Sequence, residues 1–325
     1  MERSPLFLLL LAAGGIGILA VCLFFGASVI GLPDLHTLSG QAIFALRASR
    51  VAAGFLVGAA LACAGVILQA LLRNPLADPY VLGVSSGAGL GAAAAILSGF
   101  AMRSAFTLPG AAFVASALTL AAVYAIASDG GVPSVYGLIL SGVIISSICS
   151  SVLMFLVATA PVEGLHSVIW WLLGDLQPAS LELLAICAVL ILAGCLGAWL
   201  LAGHLNAMTL GTEVAHHVGV RTGFTVTLGL ALATLMTAAA VGLAGLIGFV
   251  GLIIPHVMRS LVGPDHRRLI PAAALCGGVF LALCDALART LLAPIEIPVG
   301  VITALFGGPF FLFILRRRRK QVWFG

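Results

Sequence analysis

Residues Val51–Leu72 read VAAGFLVGAALACAGVILQALL, a continuous run without a charged side chain. A helix needs roughly 20 such residues to cross the hydrocarbon layer of a bilayer. Backbone in lipid must satisfy its own hydrogen bonds, so a spanning segment is a helix or a strand of a closed barrel. A barrel strand alternates apolar and polar residues; this run does not, so it reads as a helix.

The same pattern recurs along the chain. No charge lies between Arg3 and Asp34, nor within Tyr80–Met102, Ser104–Ser128, Gly130–Val162, Leu183–Thr212, Thr222–Met258 or Ile297–Leu315. Of the 325 residues, 62% are hydrophobic and 8% charged. The predicted fold class is therefore an all-α polytopic membrane protein, one transmembrane domain over residues 1–325. The expected spans are Leu6–Ile30, Val51–Leu72, Tyr80–Leu97, Leu108–Ala127, Val135–Val157, Leu181–Leu201, Phe224–Val241, Gly248–Val262, Leu269–Leu291 and Pro298–Leu315. The first is too long for a signal-peptide core, so it is expected to be retained.

An even number of spans puts both termini on one side. Arg316–Lys320 follows the last span as a basic run, which marks residues 316–325 as cytoplasmic by the positive-inside rule. Under that orientation eleven basic residues are cytoplasmic, and four (Arg47, Arg50, Arg103, Arg289) are outside. The net charge of +4 thus reflects topology and contact with membrane lipid, with no nucleic-acid partner implied. Lys320 is the one lysine, so no P-loop can be built, and any ATP-driven step needs a separate ATPase.

The pairs Gly54/Gly58, Gly83/Gly87 and Gly87/Gly91 have G-x-x-x-G spacing, which allows helices to cross closely in lipid. The seven cysteines lie in apolar runs. Cys187/Cys195 and Cys276/Cys284 are each eight apart, about 12 Å along a helix and too far for a disulfide. Two loops stand out. Pro161–Ser180, outside, carries Trp170-Trp171, expected to anchor at the lipid interface. Gly203–Gly223, cytoplasmic, contains Leu210-Gly211-Thr212-Glu213-Val214-Ala215-His216-His217-Val218-Gly219. There Gly211 or Thr212 can cap a short helix, Glu213 suits its positive end, and Gly219 can terminate it. A short polar helix across a membrane face suits docking to a partner.

The spacing E-x-A-x-x-x-G at Glu213, Ala215 and Gly219 resembles the coupling segment of ATP-binding-cassette importer permeases. Arg73-Asn74-Pro75-Leu76-Ala77-Asp78-Pro79, Leu82 to Gly89, Gly248 to Arg259, Asp265-His266-Arg267, Asp285 to Arg289 and Pro298 to Pro309 are similar to motifs of the FecCD-type iron–siderophore, haem and vitamin B12 permeases. The resemblance covers about Arg47 to Leu315. It implies a vitamin-B12-importer-permease-like fold of about ten transmembrane helices in a bacterial inner membrane. It implies a homodimer, two ATPase subunits that hold ATP and Mg, and an extracytoplasmic substrate-binding protein. This chain would bind no cofactor or metal and catalyse no covalent reaction. Its cargo would be a ferric siderophore, haem or cobalamin. By the resemblance, the coupling segment is 204–222, with Leu210, Gly211, Glu213, Ala215 and Gly219. Arg47, Arg50 and Arg289 would dock the binding protein as exposed forks, although Arg289 could equally pair with Asp285 one turn back. Ser134, Val135, Tyr136 and Gly137 would form the cytoplasmic gate; Val135 and Tyr136 stand where the vitamin B12 member has small hydroxyl residues.

Two rivals come from other classes. An ion-coupled secondary transporter places ionisable groups near the midplane, and Asp285 is the nearest such group. An intramembrane protease would use Ser85, in a G-x-S-x-G string, with His256, but a nucleophile elbow needs a strand before its turn. His216 and His217 are adjacent and point to different helix faces, a poor metal pair.

Overall fold

The computed structural model describes residues 5–26, 31–129 and 132–322. The elements are α1 (Pro5–Cys22), α2 (Leu38–Leu71), α3 (Val84–Leu97), α4 (Thr107–Ala127), α5 (Val135–Ala158), α6 (Val162–Leu172), α7 (Leu181–Leu200), α8 (Ala202–Thr209), α9 (Thr212–His217), α10 (Thr222–Ala244), α11 (Val250–Val262), α12 (His266–Thr290) and α13 (Val299–Val322). Short 3-10 turns precede α3 and α4, and a two-residue antiparallel ladder pairs Ser128–Asp129 with Val132–Pro133. Six helices (α2, α4, α5, α7, α10, α12) are long and apolar enough to cross a membrane. Four shorter apolar helices, in α1, α3, α11 and α13, occupy the other four predicted positions.

Helix α2 is the axis of the fold. It packs along α12, α10, α11 and α7, and from Val57 to Leu71 nearly every side chain is buried. The G-x-x-x-G glycines sit where expected. Gly58 lies directly on the Gly277 carbonyl, and a Cβ on Gly54 would touch Ala282 Cα at 3.4 Å, so α2 and α12 cross almost backbone to backbone. Gly87 and Gly91 seat α3 against Thr119 and Ala115 of α4 in the same way. In lipid this close packing supplies the attraction between helices.

Two predicted boundaries differ. Helix α1 ends at Cys22, and Ile30 lies outside the described residues. Helix α2 begins at Leu38, thirteen residues before the predicted start, with Thr37 accepting a hydrogen bond from the Gly40 amide as its N-cap. The sequence places the boundary at Arg47 and Arg50 because charges end a lipid-facing run; inside the protein both are paired, so the helix continues through them.

Trp170 and Trp171 sit on a segment that folds back. Segment 161–180 begins with α6, and the chain beyond it turns into the protein. The Asp175 amide donates to the Ala244 carbonyl (2.8 Å), and Leu176 is fully buried. Both tryptophans are half-buried, and Trp170 Nε1 donates to Asp175 Oδ2 at 2.7 Å. They line a partly open cavity.

All seven cysteines are free, and Cys63 and Cys195 meet as thiols at 3.5 Å.

Candidate functional site

Three regions carry polar chemistry. The first is the α8–α9 segment. Gly211 (φ +122°) opens α9 and Gly219 (φ +87°) closes it, as the sequence predicts. Ala215 is fully buried and seats the helix. Leu210 before α9, Val214 within it and Val218 at its C-terminal cap are 71%, 44% and 66% exposed. Glu213 beside them is exposed. Exposed apolar side chains with an acidic neighbour give this loop the chemistry of a docking surface. A Cβ on Gly211 would lie 3.7 Å from Arg73 Nη1, so the Asn74–Asp78 motif abuts this segment.

In that motif, Asp78 is the buried N-cap of the 3-10 turn before α3 and accepts from the Tyr80 amide at 2.9 Å. Burial pushes its carboxyl up from 3.8 to about 6, against the opposing pull of that hydrogen bond.

The second region joins the predicted docking arginines. Arg50 Nη2 meets Asp285 Oδ1 at 2.9 Å, and its Nη1 meets Glu296 Oε2 at 2.8 Å. Arg289 Nη2 meets Asp285 Oδ2 at 2.9 Å, and its Nη1 donates to the Phe25 carbonyl at 2.9 Å. Arg47 Nη1 donates to the carbonyls of Gly31 (2.7 Å) and Leu23 (3.1 Å). Arg47, Arg50 and Arg289 are 5%, 8% and 2% exposed. The expectation of exposed forks is therefore corrected: the three guanidinium groups tie α1, α12 and the loop before α13 to α2. The i,i+4 spacing of Asp285 and Arg289 signalled their pair, but no sequence signal pointed to Glu296. Asp285, fully buried and held by two arginines, is not a free carboxylate for ion coupling.

The third is the cavity of about 760 Å³ behind α6. Its walls include Glu163, His166, Trp170, Trp171, Asp175 and Gln177. The His166 and Trp170 rings lie 5.6 Å apart, and among the described residues no lysine or arginine lines the space.

The predicted gate residues open α5. Ser134 caps the helix by accepting from the Gly137 amide at 2.9 Å, Val135 is half-buried, and Tyr136 is 77% exposed. Ser85 follows a 3-10 turn, not a strand, which removes the nucleophile elbow. No metal-binding group of histidine, cysteine and carboxylate occurs among the described residues.

Residues 8–317 match the FecCD transport family. The chain belongs to that family. The FecCD chain is 42% identical, over 85% of its length and 73% of the relative's, to the cobalamin import system permease BtuC of Halobacterium salinarum. It is 39% identical to the hemin transport system permease HmuU of Yersinia pestis, over 85% of this chain and 83% of that one. A solved inward-facing metal-chelate-type ABC transporter superposes with a TM-score of 0.88 at 32% identity, covering 97% of this chain and all of that one. The FecCD chain is thus the transmembrane permease component of an ABC importer, with ATP hydrolysed by separate subunits.

Proposed function

We propose that the permease works as a homodimer of ten-span subunits in a bacterial inner membrane, importing a metal chelate delivered by a binding protein. A tetrapyrrole chelate of the cobalamin or haem type comes first, because relatives named for these are 42% and 39% identical; ferric siderophores follow. The observation that carries the reading is the exposed apolar group of Leu210, Val214 and Val218 on and flanking α9, which offers an ATPase subunit a surface rooted in the bundle by Ala215.

Other features support the reading. Helix α5 leaves Ile144, Ile148, Met154 and Phe155 exposed, with Ser147 and Ser151 between them back-bonded to carbonyls four residues earlier. Such a face suits both a second subunit and a weakly binding path between subunits, opening near Tyr136. Docking of the binding protein requires an incoming carboxylate to displace an internal one. Glu296, with a side chain 32% exposed, is the replaceable partner at Arg50, whereas Arg47 and Arg289 hold backbone carbonyls of the chain after α1. The acidic, aromatic cavity behind α6 disfavours strongly anionic chelates at the outer face.

The test is uptake of labelled cobalamin, hemin and a ferric siderophore in cells with and without the gene, with ATP depletion as control. ATP-dependent loss of one cargo is expected. Uptake that survives ATP depletion and collapses with the proton gradient would overturn the reading.

A further inference from the structure

Asn206 of α8 uses both ends of its amide on the first residues of α12. Its Nδ2 donates to Asp265 Oδ1 at 2.7 Å. Its Oδ1 accepts from the His266 amide at 2.9 Å and faces His266 Nδ1 at 2.6 Å. An oxygen that accepts both contacts requires the proton on Nδ1. His266 is 1% exposed, and its Nε2 has no hydrogen-bond partner, so the ring is spent on this one contact. Asp265 is also the N-cap of α12, accepting from the Arg267 amide at 3.1 Å. Its hydrogen bond to Asn206 holds the Asp265 carboxyl below its ordinary value. Trp199 Nε1 at the end of α7 adds a bond to the Arg267 carbonyl at 3.1 Å.

Position gives this bracket its consequence. Helix α8 is joined through Leu210-Gly211 to α9, whose exposed apolar side chains with their neighbours are the proposed ATPase contact. Helix α12 makes the most extensive packing on α2, interlocked at Gly58/Gly277, and carries Asp285 and Arg289 at its far end. A push on α9 has a continuous rigid route through α8, Asn206 and α12 to the outer arginine cluster. Connected side chains and rigid elements of this kind carry energetic coupling between distant sites.

We propose that Asn206 is a positioning residue for transport: it clamps the α8–α9 segment to the N-terminus of α12, so that ATP-driven movement of the segment becomes movement of α12. The proposal rests on the docking of α9 to the ATPase.

The test uses the permease assembled with its ATPase in lipid nanodiscs, with and without trapping by ATP and vanadate. Backbone amide exchange is followed over 202–217 and 266–290. In the unaltered complex, trapping is expected to change exchange in both segments. Asn206→Asp sets two carboxylates face to face, and Asn206→Leu removes all three hydrogen bonds; each should confine the change to 202–217 while ATPase binding persists. Asp265→Asn can still accept from Asn206 and should behave as the parent. The double variant Asn206→Asp/Asp265→Asn exchanges donor and acceptor and should restore the response of α12. With labelled cobalamin or hemin as probe, the broken bracket should lower chelate delivered per ATP hydrolysed by about tenfold or more, a typical allosteric coupling. An α12 response in Asn206→Asp equal to that of the parent overturns the proposal. So does an α12 that fails to respond in the unaltered complex. Failure of 202–217 to respond there would instead refute α9 docking.

Discussion

The phenolic oxygen of Tyr80 lies 3.0 Å from both the carbonyl oxygen and the amide nitrogen of Ile247, donating to one and accepting from the other. One side chain thereby satisfies both backbone groups of a buried residue in the break between α10 and α11. Tyr80→Phe orphans both, and each buried unsatisfied group costs about 1–3 kcal/mol. The thermal midpoint in detergent should fall, and protease should cut first within residues 245–249. An unchanged midpoint would show that the hydroxyl is dispensable.

Charge removal at the arginine cluster should be strongly asymmetric. Asp285→Asn leaves Arg50 and Arg289 buried without their shared carboxylate, and breaking a buried pair from one side costs about 3–5 kcal/mol. Glu296→Gln removes a one-third-exposed partner and should cost about 1 kcal/mol or less. Chemical denaturation of the two purified variants checks the order; equal losses would contradict the burial argument.

Gly58→Val should prevent α2 from seating on α12, because its Cβ position is already filled by the Gly277 carbonyl. Gly110→Ala meets open space within helix α4 and should stabilise by about 0.5–1 kcal/mol through helix propensity. Monodispersity and melting of the two variants separate the crossing from a general intolerance of side chains.

Asp78 gives stability a pH dependence with a definite sign. Its carboxyl titrates near 6 when folded, against 3.8 ordinarily, so the native state binds more protons between those values. Its contribution is fully present below pH 3.8 and is lost as pH rises through about 6. The span of about two units corresponds to about 3 kcal/mol as an upper bound. Asp78→Asn keeps the oxygen that caps the 3-10 turn and should melt higher than the parent at pH 8, with the gap closing towards pH 4. A gap independent of pH would exclude titration of Asp78.

Gly219→Asp should leave an inserted permease with defective uptake. The φ of +87° favours glycine, and a carboxylate beside Val218 changes the surface offered to the ATPase. Uptake assays with membrane quantification test this; normal uptake would remove α9 from coupling.

Helix α9 was legible from its sequence because its signals are local: a capping glycine at Gly211, an acid in the first turn and a terminator at Gly219. The glycine crossings were legible for the same reason, since Gly54/Gly58 mark one helix face. The arginine cluster was not. Arg50 and Glu296 are 246 residues apart and meet across two elements, so nothing near either residue announces the other. The bond from Trp170 to Asp175 was not legible either, because periodicity says nothing about a chain that turns inward after α6.

The sequence by itself determined that this chain is a helical membrane permease without its own ATPase, because apolar run length and the lack of a P-loop lysine are properties of composition and local order. It also determined the family, through ordered motifs. Only the tertiary structure decided where the charges went. Whether an arginine greets a partner or binds its own helices depends on which carbonyls and carboxylates the packed bundle brings within hydrogen-bond reach, and that geometry exists only after α2, α12 and the loops beside them have closed on one another.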